Sequence, residues 1–197
     1  KLTEIISLCA KELRKFNNPV GLFTFAEKLI SMDLTSEDYL EAYDFAIQQH
    51  ATAVGKFFGE FSQPKEMTRL VAALISPSCD TIFNPFAGCL SYAIEIAHYT
   101  HFDAIEINKD IWELGVLRAA LSDRNGSISM TNGNVSNWPS KKYDAIVSTP
   151  PFGFKMDMAV STSKRIEFSN TVALRRFESS TSENGELFTY VPLSVLI

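Results

Sequence analysis

The chain has 197 residues, which at about 100 to 200 residues per domain allows one substantial domain, or one domain with a small helical extension. Hydrophobic residues make up 46% of it and charged residues 21%, so a packed core is expected and wholesale disorder is excluded. The net charge of −5 argues against a chain that grips nucleic acid through a general basic excess, so any such contact needs a local basic patch or a partner.

Residues 1–55 read as a helical region. Leu2, Ile5, Ile6, Cys9 and Leu13 share one face of a first helix, which Asn18-Pro19 interrupts. Thr35 and Asp38 have the spacing of a capping box before a helix bearing Tyr39, Tyr43, Ala46, Ile47 and His50 on one side. These helices carry no evident chemistry and are read as a packing or partner-docking extension. After the aromatic segment Phe57-Phe58-Gly59-Glu60-Phe61, Pro64 suits the first turn of a helix with Met67, Leu70, Val71 and Leu74 on one face.

Beyond Pro77, short apolar runs alternate with helical periods, the pattern of a parallel sheet with crossover helices. Strands are predicted near 80–84, 102–107, 127–131, 143–148 and 186–191, and helices near 90–99, 109–122 and 168–181. Ile111, Leu114, Leu117 and Leu121 form the expected core face of the second of these helices. Ser161–Ser163 and Ser179–Ser182 read as connections. The fold class is α/β.

In an open parallel sheet, ligands bind beyond the carboxyl ends of the strands, so the strand ends are where chemistry is expected. The first is Asn84-Pro85-Phe86-Ala87-Gly88-Cys89-Leu90-Ser91, where glycine permits close backbone approach before a helix N-terminus. Taken alone, it suits an ordinary strand-to-helix turn better than a cofactor loop. The second is Glu106, about 20 residues further on, where a carboxylate is placed to accept hydrogen bonds from a ribose diol. That pair fits a dinucleotide or an adenosyl cofactor. The third is Thr149-Pro150-Pro151-Phe152, in which the prolines remove donors and leave carbonyl acceptors, and Phe152 offers a face for a planar base.

Other candidates read as structural. Cys9, Cys79 and Cys89 are odd in number and lack metal-ligand spacing, which fits a reducing cytoplasm without a disulfide framework or zinc site. His50, His98 and His101 share no metal or carboxylate pattern, Cys89 has no activating neighbour, and Trp112 and Trp138 read as packing residues. No apolar run approaches the roughly 18 residues of a membrane span, and no metal site is expected.

Taken in order, these strand ends resemble the adenine-specific N-6 DNA methyltransferases, and most closely the modification subunit of type I restriction-modification systems. The resemblance covers about residues 55–197. Gly59-Glu60-Phe61-Ser62-Gln63-Pro64 is similar to the family's Gly-Glu-Phe-Tyr-Thr-Pro, and Asn84–Ser91 to its Asp-Pro-x-x-Gly-x-Gly-Gly. Glu106-Ile107-Asn108 matches Glu-Ile-Asn, Gly133-Asn134 falls on Gly-Asp, and Thr149-Pro150-Pro151-Phe152 falls on the catalytic Asn-Pro-Pro-Phe. The resemblance implies a Rossmann-like class I methyltransferase fold over 56–197 with S-adenosylmethionine as cofactor. Its implied cofactor contacts are Phe61, Gln63, Pro64, Asn84, Phe86, Gly88, Glu106, Ile107 and Asn134. The implied reaction is methylation of a flipped-out adenine in DNA, with Thr149, Pro150, Pro151 and Phe152 catalytic. Specificity and restriction subunits are the implied partners, in the cytoplasm.

Departures fall at working positions. Thr149 replaces Asn, Asn84 and Asn134 replace acids, and Leu90 and Ser91 replace a glycine pair, where leucine disfavours positive φ. These changes admit an assembly subunit that keeps the fold without turnover, and the same Pro-Pro geometry admits a methyltransferase acting on RNA or protein. The chain stops at Ile197 after the fifth predicted strand, so an abbreviated or partial domain is expected. Past the Pro-Pro turn, Lys155, Lys164, Arg165, Arg175 and Arg176 outnumber Asp157 and Glu167, and this is the segment expected to meet DNA.

Overall fold

The structure, a computed structural model, describes residues 31–53, 63–122, 124–134, 139–151, 155–160, 163–168 and 176–191. The predicted first helix, the Asn18-Pro19 break, Phe57–Phe61, Trp138, Phe152 and the residues after 191 lie outside them.

Helix α1 (Ser36–Ala53) starts at the predicted capping box. The Thr35 N–H donates to Asp38 Oδ2 at 2.9 Å, and the Asp38 N–H donates back to Thr35 Oγ1 at 3.2 Å. Two otherwise orphaned N–H groups are thereby satisfied. Tyr43 and Ile47 turn inward from this helix, while Tyr39 and Ala46 stay exposed.

Helix α2 (Lys65–Leu74) follows Pro64, which sits at the N-cap rather than inside the first turn. The predicted face is rotated: Thr68, Val71 and the following Ile75 are buried, whereas Leu70 and Leu74 are exposed. Thr68 is tolerated there because its hydroxyl donates to the Lys65 carbonyl at 3.1 Å.

Five parallel strands form the sheet: β1 (Thr81–Asn84), β2 (His101–Glu106), β3 (Ile128–Asn132), β4 (Tyr143–Ser148) and β7 (Thr181–Thr189), in the order β3-β2-β1-β4-β7. The chain runs outward from β1 through α3 (Ser91–Glu95) to β2 and through α4 (Lys109–Leu121) to β3, then returns to β4 on the other side of β1. The order therefore reverses between β1 and β4, the switch point beyond whose carboxyl strand ends ligands of such sheets bind.

Strand alternation feeds two cores. Ile82, Phe102, Ala104, Ala145 and Val147 pack on one face with Val71, Ile75, Leu90, Tyr92 and Ala119. Phe83, Ile105, Tyr143, Ile146 and Phe177 pack on the other, where the Phe83 and Tyr143 rings stack with centroids 4.8 Å apart. Asp103 serves this second face, accepting from Tyr143 Oη at 2.7 Å and pairing with Lys141. Burial pushes its carboxyl up, but the Lys141 and Tyr143 hydrogen bonds outweigh that and hold it below its ordinary value.

Three expectations need correction. Helix α3 is five residues long rather than spanning 90–99, because Ile96 turns extended and is fully buried. The helix expected over 168–181 is narrower: Phe168 ends a strand, residues 176–180 are helical, 169–175 lie outside the described residues, and Thr181-Ser182, expected in a connection, open β7. The connection expected at Ser161–Ser163 falls within an antiparallel hairpin of β5 (Lys155–Val160) and β6 (Ser163–Phe168), inserted between β4 and β7.

Candidate functional site

Strand β1 ends at Asn84, whose side-chain Oδ1 accepts the Phe86 N–H at 3.1 Å and starts a tight turn. The turn is closed by the Leu90 N–H on the Ala87 carbonyl at 2.9 Å, and it is tied to β2 by the Ala87 N–H on the Ile105 carbonyl at 2.9 Å. Gly88 has φ 53° and Leu90 φ 63°, both left-handed. A leucine thus adopts the conformation that glycine takes without cost, and its side chain is fully buried in the core beneath. The bulk expected to disfavour positive φ is accommodated by burial.

Glu106 ends β2 against this turn. Its Oε2 accepts the Gly88 N–H at 2.9 Å and its Oε1 accepts the Asn108 N–H at 2.8 Å. A carboxylate has about four acceptor sites, so capacity for a diol remains after two backbone donors are served. Asn108 then caps α4, accepting from the Asp110 and Ile111 N–H groups at 3.0 and 3.3 Å. Ile107 projects at the rim, 65% exposed. The end of β3 is fastened here too: the Gly133 N–H and Asn132 Nδ2 both donate to the Glu106 carbonyl at 3.0 Å. This places Asn134 at the edge of a cavity of about 140 Å³ also lined by Phe83, Asp103, Ile105, Thr131 and Pro139.

Strand β4, on the other side of β1, is followed by Thr149, Pro150 and Pro151; Pro150 is buried and Pro151 exposed. Thr149 Oγ1 lies 2.8 Å from Tyr92 Oη, a side chain of α3. The Tyr190 N–H on the Ser148 carbonyl, at 3.1 Å, holds the strand end from the β7 side. The Gln63 N–H donates to Ser91 Oγ at 3.1 Å, which attaches the segment before α2 to the start of α3. Gln63, Pro64, Asn84, Phe86, Gly88, Glu106, Ile107, Asn134, Thr149, Pro150 and Pro151 therefore all lie on segments at the carboxyl end of the sheet. Phe61 and Phe152 lie outside the described residues.

Three residues of the site escape a reading by periodicity. On α4, Leu117 is half exposed, and Arg118 takes the buried position expected of it. Arg118 Nη1 donates to the Cys89 carbonyl at 3.0 Å and to Ser91 Oγ at 3.3 Å, while Nη2 pairs with Asp44 of α1 at 2.7 Å. Gly115 lets α4 approach the turn, since a Cβ there would lie 3.2 Å from the Gly88 carbonyl oxygen. Tyr92 is the third. The available signal was an arginine recurring at helical spacing with Ile111, Leu114 and Leu121.

The remaining candidates are structural. Cys89 is buried, and burial pushes its thiol up to about 11, away from nucleophile chemistry. The His98 ring meets the Ser76 carbonyl, His101 pairs with Asp103, and Trp112 Nε1 donates to the Met130 carbonyl. Among the described residues no His, Cys, Asp and Glu group is arranged to hold a metal, and no helix is long and apolar enough to cross a membrane.

Residues 35–190 match the protein family described as N-6 DNA Methylase. The type I restriction enzyme HindI methylase subunit of Haemophilus influenzae is 23% identical over 136 residues, covering 62% of this chain and 31% of that protein's length. The crystal structure of a Vibrio vulnificus protein assigned as a modification subunit of a type I restriction enzyme superposes with a TM-score of 0.64 at 15% identity, covering 81% of this chain and 39% of that one. A Methanococcus maripaludis protein assigned as an S-adenosylmethionine-dependent methyltransferase gives 0.51 at 17%, covering 76% and 62%. At these identities the structures establish a shared Rossmann-like fold.

Proposed function

The chain belongs to the N-6 DNA methylase family, and from that premise we propose that it forms the transferase core of an adenine N6-methyltransferase acting on DNA. The carrying observation is that two strand ends flank β1 at the point where strand order reverses. Glu106 braces the Gly88 turn on one side of β1, and Thr149-Pro150-Pro151 closes β4 on the other.

The family's methyl donor is S-adenosylmethionine, and the residues fit it. Glu106 keeps acceptor capacity for a ribose diol, and the Gly88 turn brings backbone close to a ligand. Buried Asn84 carries an Nδ2 without a hydrogen-bond partner among the described residues. When bound, the cofactor supplies an electrophilic methyl group and is left as a neutral thioether, while the acceptor amine loses one proton to solvent. The chain itself binds and orients. Glu106 would hold the diol, and Ile107 and Asn134 are the residues that would contact the adenine ring. The Thr149 hydroxyl and the Pro150 carbonyl accept the N–H groups of a target amine, turning its lone pair toward the methyl carbon, and Phe152 stacks on the base. An adenine inside a duplex has to leave the stack first.

Residues 1–55 act as a helical extension of the transferase domain at 56–197, a reading supported by the packing of Tyr43 and Ile47 of α1 on Cys89 and α4. The β5–β6 hairpin carries Lys155, Lys164 and Arg165 directly after the Thr149–Pro151 turn, where a DNA backbone would run. Specificity and restriction subunits, in the cytoplasm, complete the system. The acidic net charge suits a chain that relies on such partners for DNA affinity.

Titration calorimetry with S-adenosylmethionine, on wild type and on Glu106→Gln, tests the cofactor half. Loss of charge-assisted hydrogen bonds to a diol should weaken binding by about 10- to 100-fold. Equal affinities would remove Glu106 from the cofactor site.

A further inference from the structure

Thr149 stands where the family has asparagine, and the structure shows a second hydroxyl against it. Tyr92 Oη lies 2.8 Å from Thr149 Oγ1. Tyr92 is the second residue of α3, two positions beyond the left-handed Leu90, and is 1% exposed, so its ring has no freedom to swing away. Burial also pushes its phenol up to about 12, which keeps it a neutral hydroxyl through any ordinary assay pH.

A threonine hydroxyl differs from an amide oxygen in two ways that matter to an amine. It is a donor as well as an acceptor, and its oxygen moves by about 2 Å between χ1 wells. An asparagine oxygen held at the end of a longer side chain presents only lone pairs. For Thr149 to receive an amine N–H, its χ1 must be held in one well. Its own hydrogen must also stay off the amine lone pair. A fixed partner hydroxyl meets both needs when Thr149 donates to it: the Thr149 hydrogen is then committed to Tyr92 Oη, and the Thr149 oxygen keeps its lone pairs for the amine.

We propose that Tyr92 is a positioning residue of the transfer reaction, locking the Thr149 hydroxyl as an acceptor so that the pair does the work of the family's asparagine. The inference rests on the methyltransferase reading above. Tyr92 also joins the two halves of the site, since its helix begins at the cofactor turn and its hydroxyl ends at the base turn.

The test uses the full chain with its DNA and partner subunits, and the substitution Tyr92→Phe, which preserves the ring packing. Methyl NMR of Thr149 labelled at Cγ2 reads χ1 without turnover: one rotamer is expected in wild type and rotamer averaging in Tyr92→Phe. An averaged wild-type signal overturns the proposal. In transfer assays, kcat should fall roughly 10- to 100-fold in Tyr92→Phe, as for other losses of alignment, with the S-adenosylmethionine dissociation constant unchanged by calorimetry. Tyr92→Phe/Thr149→Asn should recover turnover over Tyr92→Phe, which a packing role for the phenol does not explain. Wild-type turnover with an unchanged kcat in Tyr92→Phe overturns the role of Tyr92 alone. A wild type that binds cofactor yet methylates nothing overturns the functional reading and this role with it.

Discussion

Arg118 and Asp44 pair at 2.7 Å between α4 and α1, and the same guanidinium holds the Cys89 carbonyl of the turn after β1. One buried cation thus connects the N-terminal helix to the segment that carries Gly88 and Leu90. Removing it by Arg118→Met leaves a carboxylate with Lys65 as its other partner, at 3.4 Å, and frees the turn. Breaking a buried pair on one side costs about 3–5 kcal/mol; Asp44 is partly exposed, so a loss of about 3 kcal/mol in urea unfolding is expected. Arg118→Lys keeps the charge but not the fork, and should recover less than half of that loss. Wild-type stability in Arg118→Lys would contradict the two-sided grip.

Leu90 sets strain against burial. Replacing it with glycine relieves a left-handed conformation worth about 1–2 kcal/mol but deletes a fully buried leucine worth about 2–5 kcal/mol. The core term is larger. Leu90→Gly should therefore lower the thermal midpoint despite matching the family's glycine, and a raised midpoint would show that the strain dominates.

Gly115→Ala is expected to act in the opposite sense to its helix propensity, which favours alanine by about 1 kcal/mol. Met130, which a Cβ would also meet, can shift its flexible end, but the Gly88 carbonyl belongs to the backbone of the turn. S-adenosylmethionine affinity should fall several-fold in calorimetry with the helix retained by circular dichroism. An unchanged affinity would mean that α4 does not set the turn.

Asp144 gives the pH dependence. Its Oδ2 accepts both the Thr81 Oγ1–H at 2.7 Å and the Thr81 N–H at 2.9 Å, and these bonds hold the carboxyl below its usual value. A depressed folded pKa contributes stability above the unfolded value of about 3.9, and that contribution is lost as pH falls through the folded pKa. The urea midpoint of Asp144→Asn should therefore lie below that of wild type at pH 7, and the gap should narrow from about pH 4 downward. A constant gap would assign the effect to packing.

The parallel sheet was legible because Ile82, Phe102 and Ile146 sit in short apolar runs, and the strand ends at Asn84, Glu106 and Thr149 are marked by chemistry rather than by hydropathy. Thr35 and Asp38 announced α1 because a capping box is local. What stayed hidden depends on tertiary contact. Reading Leu117 as core follows from counting apolar residues, yet Arg118 is buried because Asp44 and the Cys89 carbonyl await it. Leu70 and Leu74 fit a helical stripe equally well, and only the neighbouring sheet selects Val71 and Ile75. The β5–β6 hairpin has a weak period of two in Lys155-Met156-Asp157-Met158, which a reading of this segment by charge alone passes over. Tyr92 gave no signal, since its partner lies 57 positions away.

The central claim is met most directly by mass spectrometry of DNA after incubation with the full-length protein, its partner subunits and S-adenosylmethionine labelled in the methyl group. Label on the N6 amine of adenine, lost on Thr149→Val, is the predicted result. Unlabelled adenine from a protein that binds the cofactor would contradict the account.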